Sequence, residues 1–148
     1  MRKIRLLGLL LIGLLVIAGT ASAHPLVGGR PITASMTGTQ EVPPGDPDAT
    51  GQASFTFNPG QGEICYDIQV QNITLPARAA HIHVAPVGVA GPIVVPLTAP
   101  DASGHSSGCV TGVDRELVKA ILMHPENYYV NVHTSDYPSG AVRGQLSK

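Results

Sequence analysis

The sequence contains no C-x-x-C pair, no H-E-x-x-H motif and no glycine-rich phosphate loop. Dithiol redox chemistry, zincin-type hydrolysis and nucleotide binding therefore have no motif to rest on. Cysteine is scarce: Cys65 and Cys109 stand far apart, without the spacing of a thiolate metal site. Positive charge is lacking too. Beyond residue 23 there are 6 Lys+Arg against 10 Asp+Glu, a net charge of about −4 with histidine neutral. No basic stripe remains to meet nucleic acid or an anionic membrane surface. After the N-terminal segment no second long apolar run follows, and no internal repeat or low-complexity stretch interrupts the chain.

What is present begins with MRKIRLLGLLLIGLLVIAGTASA. Arg2, Lys3 and Arg5 precede an apolar run, and Ala21-Ser22-Ala23 offers small residues for cleavage, the three-part order of a secretory signal peptide over 1–23. An uncleaved anchor is the alternative, because the run is short for a membrane span. Removing 23 residues from 148 leaves 125, enough for one domain and too few for two. Residues 24–31 read as a leader and 32–148 as the domain. Export places both cysteines in an oxidising compartment, where an even count favours a Cys65–Cys109 disulfide.

The rest of the chain is a series of short alternating segments punctuated by turns. ITASMTG at 32–38 alternates as a strand, and EVPPGDPDA at 41–49 is broken by proline and glycine into a loop. QASFTFN at 52–58 and EICYDIQVQ at 63–71 flank the turn PGQG, which predicts a hairpin. There the alternation sets Cys65 on the face opposite Ile64 and Tyr66. Further strands are expected at 79–85, 93–97, 128–134 and 141–147, with Pro96 marking an edge or a strand end. Residues 101–108 read as loose and polar. DRELVKAILM at 114–123 is the one helix expected, capped by Asp114 and stopped by Pro125. The sum is an all-β chain: an antiparallel, Greek-key-like sandwich or barrel with one short helix.

Two of these strands carry histidine. In AAHIHVAP, His81 and His83 share a face and Ile82 takes the other; in YYVNVHT, Asn131 and His133 oppose Val130 and Val132. Neighbouring strands would bring His81, His83 and His133 together. Three neutral imidazoles suit copper or zinc, with an open coordination position. The competing reading is a hydrogen-bonded brace, in which the rings bridge strands with Glu41, Asn131, Thr134 or Arg143 as partners. Glu41 and Arg143, of opposite charge, are expected to form a partly buried pair.

Other sites are weaker. His24 would become an N-terminal copper chelator only if cleavage follows Ala23. Asp46-Pro47-Asp48-Ala49-Thr50-Gly51 opens like a calcium loop, but Phe57 stands where the loop needs glutamate. Asn72-Ile73-Thr74 is a glycosylation sequon, relevant only in a eukaryotic host. Ser103, His105 and Ser106 lie close in sequence without a nucleophile elbow.

The order of MTGTQEVPP, AAHIH, GPIVVPL, YYVNVHT and PSGAVRGQL resembles the CHRD domain, a module named from chordin and frequent in secreted microbial proteins. The resemblance covers nearly all of the chain from residue 32. It implies an extracellular β-sandwich-like module, often without a defined activity. The growth-factor binding of chordin does not carry over, because its cysteine-rich modules are missing. The function expected is therefore a secreted, non-enzymatic module that binds or supports an extracellular ligand or protein. The alternative is a mononuclear copper or zinc protein through His81, His83 and His133, with or without redox chemistry. A more distant likeness, to copper–zinc superoxide dismutase, also gives those three residues copper-ligand roles. The bridging histidine and zinc set of that family are missing, so dismutase activity does not follow.

Overall fold

The computed structural model describes residues 31–148. The expected signal segment, the leader as far as residue 30 and His24 lie outside the described residues. Eight strands form: β1 Ile32–Thr37, β2 Thr50–Asn58, β3 Glu63–Gln71, β4 Ala79–Val84, β5 Ile93–Leu97, β6 His105–Val110, β7 Tyr128–His133 and β8 Val142–Gln145. Among the described residues the single α-helix, α1, is Arg115–Met123. The strand order is β5-β4-β7-β8-β1-β2-β3-β6, and every pairing is antiparallel.

This sheet curls into a nearly closed barrel. Its two edges, β5 and β6, are joined by side chains in place of a ladder: the Thr98 N–H donates to the Tyr66 hydroxyl at 3.0 Å, and Ser106 Oγ donates to the Thr98 carbonyl at 2.7 Å. The chain crosses from β3 to β4, and β5 and β6 then return so that β6 lies beside β3, a Greek-key path. The period-2 pattern decides the interior. Ile64, Ile68 and Val70 of β3, Ile82 of β4, and Val130 and Val132 of β7 are all buried in one core with Phe55 and Met36. Asp114 caps α1 by accepting from the Glu116 and Leu117 N–H groups, and Val118 and Ile121 carry the apolar side of the helix into that core.

One segment departs from its sequence reading. Residues 101–108, expected to be loose, contribute most of β6. HSSGCV has no apolar alternation because β6 is an edge strand with little of its surface in the core. It is held instead by its ladder to β3, in which Cys65 and Cys109 are direct partners, and the expected disulfide joins them.

Candidate functional site

Over β4, β7 and β8 the outer face of the barrel is buried as well. In register, His81 of β4 faces Asn131 of β7, which faces Arg143 of β8; one step along, His83 faces Tyr129 and Tyr129 faces Gln145. Paired residues share a sheet face, so these side chains stand together opposite the apolar core. Loops close over them. Glu41, His83, Asn131 and Arg143 keep only 5%, 7%, 2% and 2% of their surface exposed.

The loop at 85–92 is tied down by the side chains beneath it. Arg143 donates to the carbonyls of Val89 and Pro86, both at 2.9 Å, and Gln145 donates to Ala85 at 2.8 Å. The Gly91 N–H donates to the Tyr129 hydroxyl at 3.2 Å. A Cβ on Gly91 would stand 2.0 Å from the Val84 carbonyl oxygen, so only glycine lets the loop come this close. The opposite wall is the turn at 134–140. There Thr134, buried, accepts from the Tyr137 N–H and makes no contact with the histidines as a hydrogen-bond partner.

The three histidines meet between these walls. His81 Nδ1 lies 3.2 Å from His133 Nε2, and the Asn131 Oδ1 atom lies 3.0 Å from His83 Nε2 and 3.1 Å from His133 Nε2. One donor atom from each of His81, His83 and His133 falls within 4.8 Å of the others. On the far side of each ring, His83 Nδ1 is 2.8 Å from the Gly91 carbonyl oxygen and His133 Nδ1 is 3.0 Å from that of Pro138. A carbonyl only accepts, and a neutral imidazole has one N–H. Both rings therefore carry the proton on Nδ1 and turn an Nε2 lone pair inward.

Electrostatics hold His81 and His133 toward the neutral form. Burial, followed by the neighbouring charges of His133 and His83, pushes His81 down to about 4. Burial also lowers His133, against an upward pull from its bond to Pro138. Behind the cluster, burial raises the Glu41 carboxyl above its ordinary range, opposed by hydrogen bonding from the Asn131 side chain, by the Arg143 charge and by the Val42 N–H.

The expected Glu41–Arg143 contact takes a different form. Among the described residues no ion pair joins them; Arg143 gives its N–H groups to loop carbonyls and lies over the Tyr129 ring, 3.4 Å from its centroid. A guanidinium presents several donors in a fixed fork, and the carbonyls of 85–92 take them. The Glu41 and Arg143 charges still favour each other without direct contact, and the Asn131 side chain is the stronger support of the Glu41 carboxyl.

Tyr129 and Gln145 were not singled out from sequence, although Tyr129 shares the period-2 face of Asn131 and His133. The carbonyls of Gly91 and Pro138 have no sequence signal. Near β6, Ser103 bonds Asp101, Ser106 bonds Thr98 and His105 pairs with Asp67 at 2.9 Å, so no serine–histidine dyad assembles.

The comparison with curated proteins finds no match. The model of the CHRD domain matches residues 32–146, from the first residue of β1 to just past β8. That span takes in every element described above and all three histidines, and the chain belongs to the CHRD domain family.

Proposed function

We propose that the chain works outside the cytoplasm as a non-enzymatic CHRD module that binds one copper or zinc ion through His81, His83 and His133. The observation that carries this reading is the pair of backbone carbonyls, Gly91 and Pro138, that fix the Nδ1–H tautomer of His83 and His133. Outer hydrogen bonds of this kind orient imidazoles for a metal. The spacing supports it: donors on ~2.0–2.1 Å bonds in a tetrahedron stand about 3.3–3.4 Å apart, and His81 Nδ1 and His133 Nε2 are 3.2 Å apart. Imidazole nitrogen suits copper and zinc above harder ions. Export is supported by the basic, apolar and small-residue order of 1–23 and by the Cys65–Cys109 disulfide.

The second reading is an internal brace. With the Asn131 amide turned over, its nitrogen would donate to both Nε2 atoms, and the contacts at 3.0 and 3.1 Å would hold the strands without an ion.

Metal analysis of protein taken from its native compartment, with Cu(II) and Zn(II) titrated into wild type and His81→Ala, separates the two. One equivalent in wild type and weakened binding in the variant is the expected result. No stoichiometric metal and identical titrations would leave the brace alone.

A further inference from the structure

Glu41 is a costly residue for a non-functional position. Its carboxylate is buried, and its Oε1 is the one buried side-chain polar atom among the described residues without a hydrogen-bond partner. Such a group is destabilising unless something else requires it. The fold is built around it. Gly140 has a φ of +139°, and a Cβ there would stand 2.2 Å from Oε1 and 2.4 Å from the carboxyl carbon. The turn that carries the Pro138 carbonyl to His133 therefore packs directly on Glu41.

Asn131 is the side chain that hydrogen-bonds the Glu41 carboxyl, and nitrogen is the only donor its amide carries. With the nitrogen toward Glu41, the amide oxygen is left on the other side. That oxygen is the atom 3.0 Å from His83 Nε2 and 3.1 Å from His133 Nε2. With both Nε2 atoms carrying lone pairs, the amide oxygen meets two acceptors and no donor. A His81 Nδ1–H could satisfy His133 Nε2 at 3.2 Å, but it leaves the oxygen and His83 Nε2 facing each other without a proton. A cation resolves that contact.

We infer that Glu41 is a positioning residue that holds the Asn131 amide with its oxygen toward the histidines, making Asn131 Oδ1 the fourth donor of an N3O site selective for a divalent ion over Cu(I). The inference rests on the metal reading above and adds a donor, an orienting group and a selectivity to it. An amide oxygen is a hard donor. It adds affinity for Zn(II) or Cu(II) and little for the softer Cu(I).

The test measures Zn(II), Cu(II) and Cu(I) affinity by chelator competition in wild type, Asn131→Leu, Glu41→Leu and the double variant Glu41→Leu/Asn131→Asp, leucine removing the acceptor at position 41. Each single variant is expected to lose about 10- to 100-fold in divalent affinity with Cu(I) affinity nearly unchanged. The double variant is expected to regain the divalent affinity, because an aspartate presents oxygen whichever way it turns and needs no orienting partner. A purely structural role for Glu41 would weaken all three ions alike and would give no such recovery, and either result overturns the inference. Should a variant fail to fold, wild type decides: nuclear Overhauser contacts of the Asn131 side-chain N–H protons to Glu41 support the assignment, and contacts to the His83 and His133 ring protons overturn it. That reading is made without metal. A wild type that takes up no ion therefore removes the function proposed above, whereas a wild type that binds ions with a reversed amide removes only the role of Glu41.

Discussion

Tyr129 lies between a histidine and an arginine. The His83 ring stacks on it at 4.6 Å with an interplanar angle of 8°, and the Arg143 guanidinium carbon stands 3.4 Å from its centroid. Because β4 and β8 flank β7, the two neighbours take the two faces of the ring. This stack fixes the plane of His83, and its outer edge, the hydroxyl, holds Gly91. Tyr129 thus links the ring that presents a lone pair to the loop that sets its tautomer.

Tyr129→Phe should cost about 1 kcal/mol, the value of one neutral hydrogen bond. Tyr129→Leu should cost about 2–4 kcal/mol by removing the stack and the packing together. Urea unfolding of both variants checks this. Equal costs would show that the ring faces contribute nothing.

Arg143→Lys keeps the charge and loses the fork. The carbonyls of Pro86 and Val89 cannot both be reached in the same way, so a loss of about 2–3 kcal/mol is expected. Residues 85–92 should then be cut faster in limited proteolysis. An unchanged cleavage rate would mean that the loop is held by other contacts.

His83→Ala removes the partner of both Gly91 and Asn131 and is expected to lower stability by about 1–3 kcal/mol in metal-free protein. A melting curve matching wild type would show that its buried partners find water instead.

Cys65→Ser/Cys109→Ser opens a crosslink spanning 44 residues of sequence. The chain-entropy argument puts the loss at about 4 kcal/mol. Intact mass of the exported protein under non-reducing conditions checks the bond itself. Two free thiols in that material would contradict it.

Acid should weaken the metal-free fold. His81 and His133 are held below the ordinary 6.5, so the unfolded chain takes up their protons first. Their contribution is fully present above pH 6.5 and is lost as pH falls toward about 4, the value to which His81 is lowered. Glu41 has the opposite sign: its raised carboxyl binds a proton more readily in the folded state, which offsets part of that loss. Denaturant midpoints between pH 7 and 4 should therefore fall more steeply in Glu41→Gln than in wild type. Parallel profiles would show that Glu41 does not titrate in this range.

Much of this arrangement was legible in the residues. Ile82 between two histidines, and Val130 and Val132 around Asn131, state which side of each strand enters the core, because side-chain direction in a strand has a period of two. The helix was equally plain, with Asp114 at its start and Pro125 beyond its end. β6 was not, since an edge strand owes its place to the ladder beside it and leaves HSSG free of apolar alternation. Arg143 was readable as a buried charge but not as a partner of Pro86 and Val89, more than fifty residues away.

The chain by itself determined the alternation, the pairing of the two cysteines and the three histidines on the polar sides of their strands. These follow from local geometry and from composition, which need no knowledge of neighbours. Only the tertiary structure decided that the polar side over β4, β7 and β8 is buried, that the carbonyls of Gly91 and Pro138 select the histidine tautomers, and that Arg143 gives its N–H groups to Pro86 and Val89 instead of pairing with Glu41. Those relations depend on how three loops return over one sheet face, and loop paths are set by long-range contacts that no periodicity encodes.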